Sequence, residues 1–349
     1  MAEFARGDLI HAMRSAVPLP KYALVLARAL IPVFGLLAGA AAAVAAESGF
    51  STDTAEAQVR KTFPDIRRVS DELPPGVLAQ ENVVYAPVGS SLALDVYRPS
   101  KPGRRPAVIV VHGGGWESGS RLMERPLAKR LAARGYVAVP VSYRLGAAGR
   151  FPNALYDLKT AVRWLRAHAD DYEIDAAHVG AIGASSGGQL VALLGASNGE
   201  TELEGEGSAT GFSSAVQAVV DIDGLVDFTE PGFVAAQAAN PSAPTRFLGG
   251  PFAERADVWR AASALAHVHA GSAPTLFLNS TAPTPIVPGR PAMLARLHAL
   301  GIESELITFP HTPHPFWLFH PWFEAVVDEA DQFLYRHLCE APPSATATQ

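Results

Sequence analysis

The sequence predicts an α/β protein built on a doubly wound, mostly parallel sheet with helices on both faces. Ala107-Val108-Ile109-Val110-Val111 is an unbroken, largely β-branched run, the pattern of a strand covered on both sides. Comparable runs then alternate with stretches of helical period, and strand, helix, strand in series implies right-handed crossovers between parallel neighbours. A third observation puts chemistry on that frame: Gly183-Ala184-Ser185-Ser186-Gly187 lies where one of these strands gives way to a helix.

Taken in order, the 349 residues begin with an apolar stretch at 29–46 that follows Lys21 and Arg28 and ends in small residues before Glu47-Ser48. Basic, apolar, then Ala-x-Ala is the order of a secretory signal, so residues 1–46 are expected to be a signal peptide and the protein to be secreted or periplasmic. Pro32 and Gly35 inside the run favour cleavage over a retained anchor helix. A single cysteine, Cys339, cannot close an intramolecular disulfide, so an exported chain must rely on core packing. The formal charge of −6 is spread without a basic block, which argues against a nucleic-acid partner.

Residues 47–82 are polar, broken by Pro74-Pro75-Gly76, and read as an extension wrapping a catalytic domain at 83–340, with 341–349 as a disordered tail. Val83-Val84-Tyr85 and the run at 92–97 flank Gly89-Ser90-Ser91 and suit a hairpin of edge strands. After the buried run come a strand at 136–143, a helix at 151–169, a strand at 178–184, a helix at 187–196, and strands at 216–221 and 275–279. A helix at 291–300, a strand at 305–309 and a helix at 322–338 complete the series. Residues 199–214, rich in glycine and glutamate, read as a solvated loop, and 228–262 as a small cap inserted after the sixth strand.

Ser185 at the sharp strand-to-helix turn is the candidate nucleophile; Ser186, one place off the elbow, offers its backbone N–H instead. His112-Gly113-Gly114-Gly115-Trp116 follows the buried strand, and a glycine run there can turn its N–H groups toward developing negative charge. Gly114, Gly115 and Ser186 are therefore the expected oxyanion donors, with His112 shaping the loop. For the general base, His311 and His314 compete after the strand ending near Phe309; His314 is favoured because Pro313 and Pro315 fix it and Phe316-Trp317 can exclude water. No cysteine or aspartate near His311, His314 and His320 completes a metal set, and no cofactor is called for.

The acid is the unusual part. The loop at 280–288, where a triad acid commonly follows the strand before the histidine strand, holds no carboxylate, and no aspartate occurs between Asp257 and Asp328. The acid is therefore expected one strand earlier, at Asp223, beyond the strand at a glycine turn, with Asp221 inside the ladder and Asp227 as a further candidate. Turn capping by all three is the alternative.

With Ser142-Tyr143-Arg144, Phe151-Pro152, Asp157-Leu158-Lys159, Ala161-Val162-Arg163-Trp164-Leu165 and the two glycine motifs, the chain resembles the α/β-hydrolase superfamily over residues 82–338. More narrowly it resembles the secreted esterases that include acetylxylan, pectin-acetyl and feruloyl esterases, and the hormone-sensitive-lipase-like carboxylesterases. The resemblance implies the α/β-hydrolase fold, Ser185 as nucleophile, His314 as base, and Gly114, Gly115 and Ser186 as oxyanion donors. Ser186 departs from it, standing where this branch usually has alanine, and so does the empty acid position. The expectation is a secreted serine carboxylesterase acting on an acylated carbohydrate or small ester, by preference deacetylating xylan or pectin. Trp116, Trp317 and Trp259 would offer sugar-stacking faces. Feruloyl or short-chain esterase activity is the nearest alternative, and a non-catalytic carbohydrate-binding protein on the same fold is the alternative of another class. A lipase is disfavoured because the sequence shows no large apolar lid and the 199–214 loop is acidic.

Overall fold

The computed structural model describes residues 49–87, 91–281 and 288–340. The expected signal peptide at 1–46, the tail at 341–349 and most of the 280–288 loop lie outside these residues. The main sheet contains β1 (Val77–Ala86), β2 (Leu92–Pro99), β3 (Arg105–Val111), β4 (Val137–Val141), β5 (Ile174–Ala184), β6 (Ala218–Ile222), β7 (Thr275–Asn279) and β8 (Glu305–Thr308), in the order β1-β2-β4-β3-β5-β6-β7-β8. β1, β2 and β4 pair antiparallel and every later pair is parallel, so the sheet is mostly parallel and doubly wound, as the alternation of runs predicts.

Helices α1 (Thr52–Val59), α2 (Arg125–Ala133), α3 (Asn153–Ala167), α4 (Ser186–Ala196), α5 (Pro231–Ala239), α6 (Ala243–Phe247), α7 (Phe252–Ala261), α8 (Arg290–Ala299) and α9 (Phe323–Leu338) surround it. The side-chain period of two splits β3 between both layers. Ala107, Ile109 and Val111 pack with α3 and α4, while Val108 and Val110 pack with α2 and α9. Register then does the positioning: Val111 stands opposite Gly183, Gly183 opposite Asp221, and Ala184 opposite Ile222. The carboxyl ends of β3, β5 and β6 finish level, so the chain leaves the sheet at His112, Ser185 and Asp223 along one edge, the usual place for ligand chemistry in such sheets.

The structure departs from the sequence reading in the placement of several elements. Helix α2 was not anticipated, although Leu127, Ala128, Leu131 and Ala132 give it one buried face and Pro126 fits its first turn. β1 starts at Val77, inside the stretch read as an extension, because its early residues pair with β2 from Pro99 back to Val96. The 199–214 loop is more than solvated: Glu204 accepts hydrogen bonds from the buried cations Lys159 (2.9 Å) and Arg163 (2.9 Å) of α3 and from Ser214 (2.6 Å). The cap expected at 228–262 consists of α5, α6 and α7. The segment before β1 grips two loops at the active edge: Phe50 N–H donates to Ser118 Oγ (3.1 Å), and Arg67–Arg68 pairs antiparallel with Phe319–His320.

Candidate active site

Ser185 sits between β5 and α4 with φ 55° and ψ −119°, a region that L side chains rarely adopt. It is held there by its own N–H donating to Ile222 O (2.7 Å) and its carbonyl accepting from Gln189 N–H (3.0 Å). The turn closes only because Gly187 has no side chain: a Cβ there would overlap the carbonyls of Val111 and His112. This is the geometry that pushes the serine hydroxyl out from the sheet edge.

His314 Nε2 lies 3.1 Å from Ser185 Oγ, and its Nδ1 lies 2.9 Å from Asp223 Oδ2. A carboxylate against Nδ1 fixes the proton on that nitrogen, leaving Nε2 to accept from the serine hydroxyl. Of the competing histidines, His311 is exposed and His320 packs edge-on against Phe323, so neither shares this contact.

The three aspartates separate by their partners. Asp227 Oδ1 accepts from Thr229 N–H (2.8 Å) and Thr229 Oγ (2.7 Å), a turn-capping role. Asp221, inside the β6 ladder, accepts from Gly224 N–H (2.7 Å) and is ion-paired with Arg290 Nη2 (2.8 Å), both side chains fully buried. Asp223 alone reaches the imidazole. Burial pushes its carboxyl pKa up, but the hydrogen bond and charge of His314 and the hydrogen bonds from Ser280 outweigh this and hold it below the ordinary carboxylate range. The loop after β7, empty of an acid, contributes backbone instead, Ser280 N–H donating to Asp223 Oδ1 (2.7 Å), and within β7 Leu278 O accepts from Asp223 N–H (2.9 Å).

Arg290 is a residue the sequence reading missed. Its Nε donates to Gly224 O (2.7 Å), Nη2 to Asp221 Oδ1, and Nη1 to Asn279 Oδ1, so one guanidinium ties the acid's turn to the end of β7. No local motif marks it; only a lone arginine at a helix start was visible.

On the other side of Ser185, Gly114 takes φ +124° and Gly115 φ +62°. Among the described residues, the N–H groups of Gly114, Gly115 and Ser186 donate to no protein acceptor. Gly115 and Ser186 line the cavity that holds Ser185, whereas Gly114 forms the turn whose carbonyl accepts from Ser118. His112 shapes this loop, as expected: its Nδ1 lies 2.7 Å from Gly113 O, Tyr143 O–H donates to its carbonyl (2.9 Å), and burial lowers its pKa to about 4, so the ring is neutral.

A cavity of about 380 Å³ lies over the serine, lined by Gly115, Trp116, Leu225, Phe233 and the cap residues Ala236, Gln237, Ser242, Ala243 and Pro244. Trp116 is in this wall, stacked on Phe247 at 4.7 Å. Trp259 and Trp317 are not. Trp259 is fully buried inside the cap, its indole N–H donating to Gly250 O (3.0 Å), so it packs rather than offers a face. Trp317 is buried behind the histidine, its ring edge-on to the His314 imidazole at 5.0 Å. Behind Trp317 lies a second unforeseen group, Glu124, whose carboxyl is pushed up to about 8 by burial, against which the Trp317 indole gives only partial relief.

Among the described residues no helix is long and apolar enough to cross a membrane, and no three His, Cys, Asp or Glu side chains are grouped to hold a metal.

Known proteins similar to this chain include several esterases. Esterase LipQ of Mycobacterium tuberculosis is 29% identical over 245 residues, 67% of this chain and 56% of that protein. The chain spans between about a third and a little over half the length of the first curated relatives it matches. Among solved structures, a truncated carbohydrate esterase from gut microbiota superposes with a TM-score of 0.65 at 22% identity, over 77% of this chain and 99% of that one, a likeness of fold. The thermophilic esterase Est2 of Thermogutta terrifontis, with propionate bound, is 28% identical at a TM-score of 0.62, over 77% of this chain and 97% of its own. The sequence profile of the BD-FAE family matches residues 94–294, from β2 through the glycine loop, the serine elbow and the cap to α8. With more than half of the chain so matched on a sheet of this topology, the protein belongs to the BD-FAE family of α/β-hydrolases.

Proposed function

We propose that the protein is a serine carboxylic ester hydrolase working through an acyl-enzyme. The observation that carries this is the continuous line from Ser185 Oγ through His314 to Asp223, at 3.1 and 2.9 Å, beside N–H groups without protein acceptors. In the reaction, Ser185 Oγ bonds to the ester carbonyl carbon as His314 Nε2 takes its proton, and the carbonyl electron pair moves to oxygen, facing the N–H groups of Gly115 and Ser186. Collapse breaks the bond to the alcohol oxygen, which leaves with the proton from His314. Water then adds to the acyl carbon with His314 as base, freeing the acid and restoring Ser185. Asp223 keeps the imidazole in the accepting tautomer and balances its charge.

The substrate reading is removal of a small acyl group, foremost acetyl, from carbohydrate such as xylan or pectin outside the cell. It is supported by the secretory pattern at residues 29–46 and by Trp116 in the cavity wall. Short-chain carboxylesterase activity is the second reading, favoured by the burial of Trp259 and Trp317, which leaves one of the three tryptophans at the cavity. A fluorophosphonate probe tests the chemistry: wild-type protein is expected to be labelled and Ser185→Ala not. Absence of label on both would remove the hydrolase reading. Parallel assays on acetylated xylan, acetylated pectin and a short-chain aryl acetate then sort the substrates.

A further inference from the structure

The cap side of the cavity over Ser185 carries one held donor that the acyl-transfer chemistry does not use, the carboxamide of Gln237. Gln237 Oε1 accepts from Ser242 N–H (3.2 Å), Ser242 Oγ (2.9 Å) and Thr245 Oγ (3.0 Å). A backbone N–H can only donate, so this contact settles which end of the carboxamide is oxygen. The Nε2 end is what remains, and among the described residues it donates to nothing. Of the other polar groups of the wall, the Trp116 indole N–H donates to Gln189 (3.0 Å) and the Ser242 hydroxyl to Gln237 (2.9 Å), while Ser185, the Ser186 hydroxyl and the free N–H groups of Gly115 and Ser186 lie at the elbow and the glycine loop rather than on the cap. The rest of the cap side of the wall, Leu225, Phe233, Ala236, Ala243 and Pro244, is apolar.

Size narrows what Nε2 meets. At roughly 30 Å³ for each water-sized group, a cavity of about 380 Å³ takes on the order of a dozen non-hydrogen atoms, three or four times an acetyl group. The larger part of the substrate therefore lies under the cap, between apolar walls, facing one fixed N–H donor.

We propose that Gln237 determines specificity by donating from Nε2 to an oxygen on a six-membered ring seated under the cap. Esters with an oxygen-bearing ring are then selected over hydrocarbon-ring esters of the same ring size. This rests on Ser185 being the nucleophile. The same recognition serves a sugar on the alcohol side of the ester or a hydroxycinnamoyl ring on the acyl side. A site built to bond an oxygen discriminates strongly against the analogue lacking it, because the donor is then left unpaired.

The test measures kcat/KM for two matched pairs: methyl xyloside monoacetate against cyclohexyl acetate, and methyl ferulate against methyl cinnamate. Gln237→Glu keeps an oxygen for Ser242 and Thr245 while replacing the donor with an acceptor; Gln237→Met removes both. Wild type is expected to prefer the hydroxylated member of one pair by about tenfold or more, the size of one hydrogen bond, and both variants to bring that ratio near one. The responding pair identifies the side on which the ring sits. Should Gln237→Met fail to fold, judged by its melting temperature, Gln237→Glu alone decides. An active enzyme whose ratios are near one, or are unchanged by Gln237→Glu, overturns the role of Gln237 and leaves the hydrolase reading standing. No turnover of any of the four esters, with no fluorophosphonate label on Ser185, overturns both.

Discussion

Asp223 stands just past the end of β6 with φ 51°, a strained conformation for a residue other than glycine, and four contacts hold it there: His314, Ser280, Leu278 O and, through Gly224, Arg290. Strain sustained by so many partners is expected where a side chain must be aimed. Asp223→Asn preserves the shape but presents an N–H or a neutral oxygen to Nδ1, which favours the wrong tautomer. Turnover should fall about 10³- to 10⁴-fold, with KM little changed; steady-state kinetics showing near-normal kcat would return the acid to an open question. At this scale, the sequence was informative wherever chemistry demands a local pattern. Gly-x-Ser-x-Gly marks the elbow because sterics require small neighbours, and the prolines beside His314 single it out from His311. Arg290 and Glu124 were illegible, since their roles come from neighbours some 66 and 193 positions away along the chain, Gly224 and Trp317. Trp259 and Trp317 misled because an aromatic side chain suits a core as well as a sugar.

Between residue and fold, elements take their places through a few polar contacts that patterning does not reveal. The 199–214 loop is polar in composition and reads as solvent-facing, yet α3 turns Lys159 and Arg163 inward and needs an anion to accompany them. Glu204 supplies it, with about a third of its side chain exposed. Removing one partner of a buried pair leaves uncompensated charge, typically about 3–5 kcal/mol, and less where water reaches the site. Glu204→Ala should therefore lower the melting temperature by roughly 4–8 °C, taking about 2 kcal/mol at the shift per kcal/mol usual for larger domains. Glu202→Ala, on an exposed neighbour, should leave it within about a degree; calorimetry of the two variants showing equal shifts would return the loop to a purely solvated role. Helix α2 escaped notice for a related reason: its charged residues interrupt a short apolar face, and Pro126 sits in its first turn.

Across the described residues, the protein buries ionisable groups whose pKa values move in opposite directions, and His112 and Glu124 each give stability a slope with pH of their own. The His112 ring, lowered from 6.5 to about 4, is neutral when folded while the unfolded chain binds a proton between those values, so its contribution makes stability rise as pH climbs through that window. Glu124 acts the other way. Its carboxyl is raised from 4.5 to about 8, so between those values the folded chain keeps a proton that the unfolded chain has lost, and stability falls as pH rises. From about 4.5 to 6.5 the two slopes oppose; from 6.5 to about 8 Glu124 is no longer countered by His112. Glu124→Gln removes a titration without removing the shape, so its melting temperature relative to wild type should climb steadily from pH 5 to pH 8 and level off above. Melting curves that stay parallel across that range would mean the carboxyl is not held protonated behind Trp317. Because Trp317 lies edge-on to the His314 ring, the same measurement tests whether the wall behind the imidazole stays neutral at the pH where the nucleophile must work.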